Sequence, residues 1–182
     1  QRIRVLYDFD AQRENAIVGT VAGTGVPGFN GDGIALQTQF NFPTGPNPEP
    51  SGGIAIDALG RLYFSDSNNN RIRRIEFFNA DFTQGIVTTI AGTGVGGFSG
   101  DGGPANRAQI HFPQDLEIGP DGNLWFADAN NHRVRRIDLT TGIITTVAGT
   151  GERGYAGDGG LAVDAQLQRP FGIAFDAAGD LY

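Results

Sequence analysis

The chain contains no cysteine, no methionine and no lysine, and it holds only two histidines and one tryptophan. Each shortage closes off a class of explanation. Without cysteine there are no disulfides and no thiolate metal sites; the cellular compartment stays open, because a well-packed repeat fold needs no staples. Two histidines, His111 and His132, cannot supply the three imidazoles of a His-built zinc centre. With lysine absent, the 13 basic residues face 20 acids, and a net charge of −7 argues against binding a phosphate backbone, which needs clustered basic side chains. No apolar run nears the roughly 20 residues that span a bilayer. Neither a signal peptide nor an initiator methionine opens the chain, which reads as a piece of something longer.

Glycine is abundant, 29 of 182 residues, and its placement is periodic. The phrase Thr20-Val-Ala-Gly-Thr-Gly25 recurs as Thr89-Ile-Ala-Gly-Thr-Gly94 and Thr146-Val-Ala-Gly-Thr-Gly151, offset by 69 and then 57 residues. Each copy leads to a Gly-Asp-Gly loop centred on Asp32, Asp101 or Asp158. Self-similarity at this period marks an array of one supersecondary unit. A residue that recurs in every copy is expected to build the unit.

Within a copy, short β-branched and aromatic runs alternate with Gly, Asn and Asp turns, the pattern of an antiparallel meander. The second copy offers strands at 53–57, 61–66, 71–76 and 85–91; the third offers 116–118, 123–128, 133–138 and 142–148. Ile72 and Ile75 fall on opposite parities of the third strand, which fits a sheet covered on both faces or a bulge. Pro104 with Ala105 and Ala108 predicts one short helical turn between the copies. Two insertions, 44–50 and 79–83, account for the uneven period and are expected on the surface.

Four-stranded units repeated radially make β-propeller blades. The pattern Gly-x-Leu-(Tyr/Trp)-Phe-(Ser/Ala)-Asp-x-Asn-Asn-x-Arg-(Ile/Val)-Arg-Arg-Ile, at 60–75 and 122–137, resembles the NHL repeat. The added Ala-Gly-Thr-Gly, Gly-Asp-Gly-Gly and Pro elements resemble the long NHL variant of bacterial secreted proteins and teneurins. The resemblance implies an all-β fold of four-stranded antiparallel blades, about half of a six-bladed ring. On that frame residues 1–22 are the second half of a blade, 53–91 and 115–148 full blades, and 172–182 the first half of another. The stretches 23–52, 92–114 and 149–171 are then inter-blade connections. The chain is expected to be a fragment of a longer ring, or two chains close one ring head-to-tail as a homodimer.

Several motifs invite a sharper reading. Gly23-x-Gly25-x-x-Gly28 and its two repeats match a dinucleotide fingerprint, but that fingerprint needs a helix directly after it. These glycines lead into another glycine-rich loop, which points to turns. Asp32, Asp101 and Asp158 offer one carboxylate per loop, whereas calcium takes six to eight oxygens; a turn-setting role is preferred to calcium, and no cofactor is expected. Asp66 and Asp128 end one strand where Arg71 and Arg133 begin the next, so an ion pair or an Asp-to-turn hydrogen bond is expected. Asn68, Asn69, Asn130, Asn131 and His132 sit at those turns, on the face that also carries the connections. Phe29, Phe98 and Tyr155 occupy one fixed place before each Gly-Asp-Gly. They are either exposed binding residues or plugs for the groove between blades.

These readings favour a non-enzymatic binding or scaffold module of a secreted, periplasmic or surface protein, contacting protein or glycan and not nucleic acid. The alternative is half of a lactonase-like or lyase-like propeller enzyme whose metal ligands lie in blades outside this sequence. Carboxylates converging from several first strands would mark the enzyme; small residues such as Ala55 and Ala174 lining the channel would mark the scaffold.

Overall fold

The computed structural model describes residues 1–7, 17–44, 52–79 and 82–182. The insertion at 44–50 falls outside these beyond residue 44, as do residues 80 and 81 of the insertion at 79–83. Strands β1 (Ile3–Tyr7) and β2 (Ile17–Ala22) pair in a two-stranded sheet. The next sheet joins β4 (Ile54–Ile56), β5 (Leu62–Asp66), β6 (Arg71–Phe77) and β7 (Gly85–Ala91), with the two-residue β3 (Gly33–Ile34) added along β7. A four-stranded sheet follows, built from β8 (Pro113–Ile118), β9 (Leu124–Asp128), β10 (Arg133–Ile137) and β11 (Ile144–Ala148). All ladder pairings are antiparallel.

The apolar core lies between successive sheets. Ile3, Val21, Phe64, Ile75 and Val87 close the first interface, and Tyr63, Ile72, Leu116, Phe126 and Ile144 close the second. Ala127, Val134 and Ile173 form a third. Ile75 therefore faces the preceding sheet and Ile72 the following one, which is why both parities of β6 are apolar. The bulge is present as well: register shifts at Ile3/Arg4, Ile72/Arg73 and Val134/Arg135. Its partner stretch is the recurring Thr-(Val/Ile)-Ala phrase, where Val21, Ile90 and Val147 are the extra residues.

The first two connections reach forward to the next sheet. Residues 33–34 pair with β7, and Gly102 to Ala105 bond the stretch Gly142 to Ile144 in the equivalent place. Short 3-10 turns form at Ala35–Gln37, Ala105–Arg107 and Ala162–Asp164, the middle one directly after Pro104. At 172–182 the hydrogen bonding is a short ladder, Ala174 with Tyr182 and Asp176 with Asp180, around a bridge between Phe175 and Leu181.

Candidate functional site

Two arginines with no exposed surface, Arg73 and Arg135, organise the recurring polar residues. Burying a guanidinium is costly unless its charge is paired and its N–H groups are satisfied. Arg73 donates to Asp66 (3.1 Å), to Asp32 (3.1 Å) and to the Gly31 carbonyl (2.8 Å). Arg135 donates to Asp101 (2.6 and 3.2 Å), to Asp128 (3.4 Å), and to the Ser99 and Gln109 carbonyls (each 3.0 Å). Each arginine thus joins an acid of its own sheet to an acid of the preceding connection.

The connection acids also reach the outer strand. Asp32 accepts the Thr89 amide (3.0 Å) and hydroxyl (2.8 Å), and Asp101 accepts the Thr146 amide (3.2 Å). The Gly-Asp-Gly loop is a latch between blades, and its carboxylate is occupied by protein donors. Asp158, the third copy, is exposed and has no partner among the described residues.

Asp66 and Asp128 do not pair with the arginines that the turn spacing suggested. Arg71 and Arg133 lie opposite them in backbone register, yet their guanidinium groups cap carbonyls instead. Arg71 donates to Asn69 and Thr93 oxygens (3.0 and 2.8 Å), and Arg133 to Gly149 and Thr150 oxygens (3.2 and 2.5 Å). The arginine two residues on, Arg73 or Arg135, takes the acid instead. Burial pushes the Asp66 and Asp128 carboxyls above the ordinary range, against the pull of their hydrogen bonds and of Arg73 and Arg135.

The turn residues divide by role. Asn69 and Asn131 each donate to the own-sheet acid (2.9 Å to Asp66, 2.8 Å to Asp128) and to the carbonyl of Gly28 or Gly97 (2.8 Å each). They hold the connection in place. Asn68 and Asn130 bond the Asn41 and His111 carbonyls through their backbone amides. His132 stands where the second copy has Asn70, both in left-handed backbone. Its Nδ1 accepts the Arg169 amide at 3.0 Å, as the Asn70 side-chain oxygen accepts that of Phe112 at 2.9 Å. His132 is thus a turn residue, and burial together with Arg153 and Arg169 holds its pKa below 6.5.

Phe29 lies under the Arg71 guanidinium (3.7 Å to the ring centroid) and Phe98 under that of Arg133 (3.9 Å). The rings are half plug and half surface: one face meets arginine, and 41 % and 42 % of each residue stays exposed. Tyr155 has no such cover and is 81 % exposed. Val26 and Val95, three residues before the phenylalanines, are exposed as well.

On the first strands, Asp115 accepts the Ile173 amide (3.1 Å) and Glu117 the Phe175 amide (2.9 Å), so both carboxylates join neighbouring strands. Ala55 packs against the core between sheets, and Ala174 is exposed. Among the described residues, no three of His, Asp and Glu form a metal-binding group, and no helix is long and apolar enough to cross a membrane.

Comparison with known proteins places this latch-and-blade unit. NHL repeat-containing protein 2 of Gallus gallus is 32% identical over 148 residues, covering 80% of this chain and 19% of that protein. These are NHL-type propeller repeats. Teneurin-1 of Mus musculus is 31% identical over 99 residues, 49% of this chain and 4% of that protein. A solved structure described as an auxiliary nutrient binding protein from Bacteroides thetaiotaomicron matches with a TM-score of 0.64 at 21% identity, over 96% of this chain and 38% of that one. It carries the same propeller fold. No protein-family model matches the chain. The chain spans less than a fifth of the length of these two curated relatives. In NHL terms, what sequence reasoning missed is the second arginine of each Arg-x-Arg as the latch; its signal was the recurrence of that arginine together with an acid one connection earlier.

Proposed function

We propose that the chain is a non-enzymatic binding and scaffold segment of an NHL-type propeller, docking a protein or glycan on the face that carries its connections. One observation carries this reading: Phe29 and Phe98 stand at one register position, each with one ring face on an arginine and about two fifths of the residue open, next to exposed Val26 and Val95. Aromatic rings held by a rigid scaffold, with one face covered and one open, suit recognition of apolar protein patches or sugar faces. The recurring carboxylates do not compete for that role, because Asp32, Asp66, Asp101 and Asp128 are already engaged by protein donors. On this reading the chain needs no calcium or other cofactor, and its acidic, lysine-free surface does not take nucleic acid. A place outside the cell or at its surface accords with the teneurin relative and with the nutrient-binding neighbour, whose architecture hosts ligand binding.

Glycan microarrays and a panel of cell-surface ectodomains, probed with the parent chain and with Y155A and F98A, test this. Binding should fall at least about tenfold in each variant, the scale of one interface anchor, with Y155A leaving the melting temperature unchanged. Binding indifferent to both substitutions, or a stoichiometric divalent ion in the purified protein, would overturn it.

A further inference from the structure

The connection latches recur, whereas Arg74 and its surroundings do not. Arg74 and Arg136 occupy equivalent places on β6 and β10, facing Tyr63 and Trp125 across the ladder. Arg136 is anchored: its Nε donates to Asp121 at 2.6 Å. In the preceding blade Leu59 replaces Asp121 before the turn glycine, and Leu59 is 76 % exposed. The nearby Asp57 cannot stand in. Its carboxylate takes Arg61 (2.6 Å), the Tyr63 hydroxyl (3.0 Å) and the turn amides of Leu59 and Arg61.

Among the described residues Arg74 is therefore left with one ion pair, to Glu76 at 3.5 Å, in which both side chains are partly exposed. Its Nε is buried without a hydrogen-bond partner. Thr88, directly opposite Arg74 in the ladder, buries an equally unpartnered hydroxyl. Both atoms are closed to solvent and cost free energy where they lie, whereas the Arg74 side chain as a whole keeps 28 % of its surface open. Both residues line a groove of about 440 Å³ between two blades, together with Asn106, Asp138, Thr140 and Thr141. That volume suits a small ligand.

We infer that this groove binds a carboxylate-bearing sugar of the uronate class. A guanidinium is a planar fork matched to a carboxylate. The threonine hydroxyls and the Asn106 amide offer hydrogen bonds of both senses to ring hydroxyls. Asp138 adds one negative charge to the groove wall, tempered because it accepts the Thr140 and Thr141 amides at 2.9 Å each. The site is separate from the aromatic face, so it stands or falls independently of that reading.

The test is calorimetric titration of the 182-residue chain with sodium D-glucuronate, D-glucose and sodium acetate. Glucuronate should bind saturably; glucose, which lacks the carboxylate, and acetate, which lacks the ring hydroxyls, should each bind at least about tenfold more weakly, the scale of one charge-assisted contact or of two neutral hydrogen bonds. L59D, which offers Arg74 the internal carboxylate that Arg136 already has, should abolish glucuronate binding; Leu59 is exposed, so folding should be unaffected. R74M should do the same, D138N should tighten binding, and R136M should leave it unchanged. Absence of saturable glucuronate binding, equal binding of glucose or acetate, or binding that survives both L59D and R74M would overturn the inference.

Discussion

Replacing Asp101 by Asn isolates the latch. In the parent chain Asp101 accepts two bonds from the buried Arg135 and one from the Thr146 amide. The substitution removes the charge and turns one acceptor atom into a donor, leaving Asp128 to balance a guanidinium that has no exposed surface. A hydrogen bond to a charged group contributes about 1.5–3 kcal/mol. Asp101 is 35% exposed, so water screens part of that, and a loss of about 2 kcal/mol is expected. For a chain of this size that corresponds to a fall of about 4–8 °C in melting temperature. Asp32 is the same latch at 44% exposure, so D32N should cost somewhat less. In the 182-residue chain Asp158 is the built-in control: same motif, exposed, no partner among the described residues, and an expected change within about 0.5 kcal/mol. Urea unfolding followed by circular dichroism measures all three. If D158N costs as much as D101N, or if D101N costs nothing, the latch reasoning is wrong.

Other substitutions probe separate parts of the account. D128A leaves Arg135 without its buried partner and should cost about 3–5 kcal/mol in the same urea assay, more than any latch variant. His132 is held neutral while its Nδ1 accepts the Arg169 amide, and its pKa lies below 6.5 in the folded chain. Its contribution is therefore complete above pH 6.5 and lost as pH falls through the lowered value. The urea midpoint should drop between pH 7.5 and pH 5, by less in H132N, where the asparagine of the preceding blade takes over the bond. Gly92 has φ of +89°, and a Cβ there would overlap the Asn70 carbonyl oxygen; Gly102 has φ of +79° with open space. G102A should cost about 1–2 kcal/mol for the left-handed backbone alone, and G92A at least twice that, judged by melting temperature.

Much of this was legible because repetition exposes construction. The strand β7 coincides with the apolar run at 85–91, since its boundaries are a glycine on one side and a Gly-Thr-Gly turn on the other. The opposite parities of Ile72 and Ile75 announced a sheet covered on both faces, and the bulge came with it. The choice between Arg71 and Arg73 as partner of Asp66 was not legible. Backbone register favours Arg71, and residue types alone do not say that the buried Arg73, opposite Phe64 on the same face, reaches back to the acid. The double life of Phe29 and Phe98 was half legible: the fixed position was plain, but the arginine stacked on each ring lies 42 and 35 residues further on. Arg74 was invisible for the opposite reason, because its lack of a carboxylate equivalent to Asp121 shows only once the Arg136–Asp121 bond is seen in the next blade.

The central claim is that the Gly-Asp-Gly loops of Asp32 and Asp101 each lock one blade to the next. Amide hydrogen exchange at Thr89 and Thr146 tests it most directly, since these two amides donate to Asp32 and Asp101. The account predicts that D32N speeds exchange at Thr89 alone, that D101N speeds it at Thr146 alone, and that D158N changes neither. Exchange unaltered at both sites, or raised uniformly across the chain by either substitution, would contradict it.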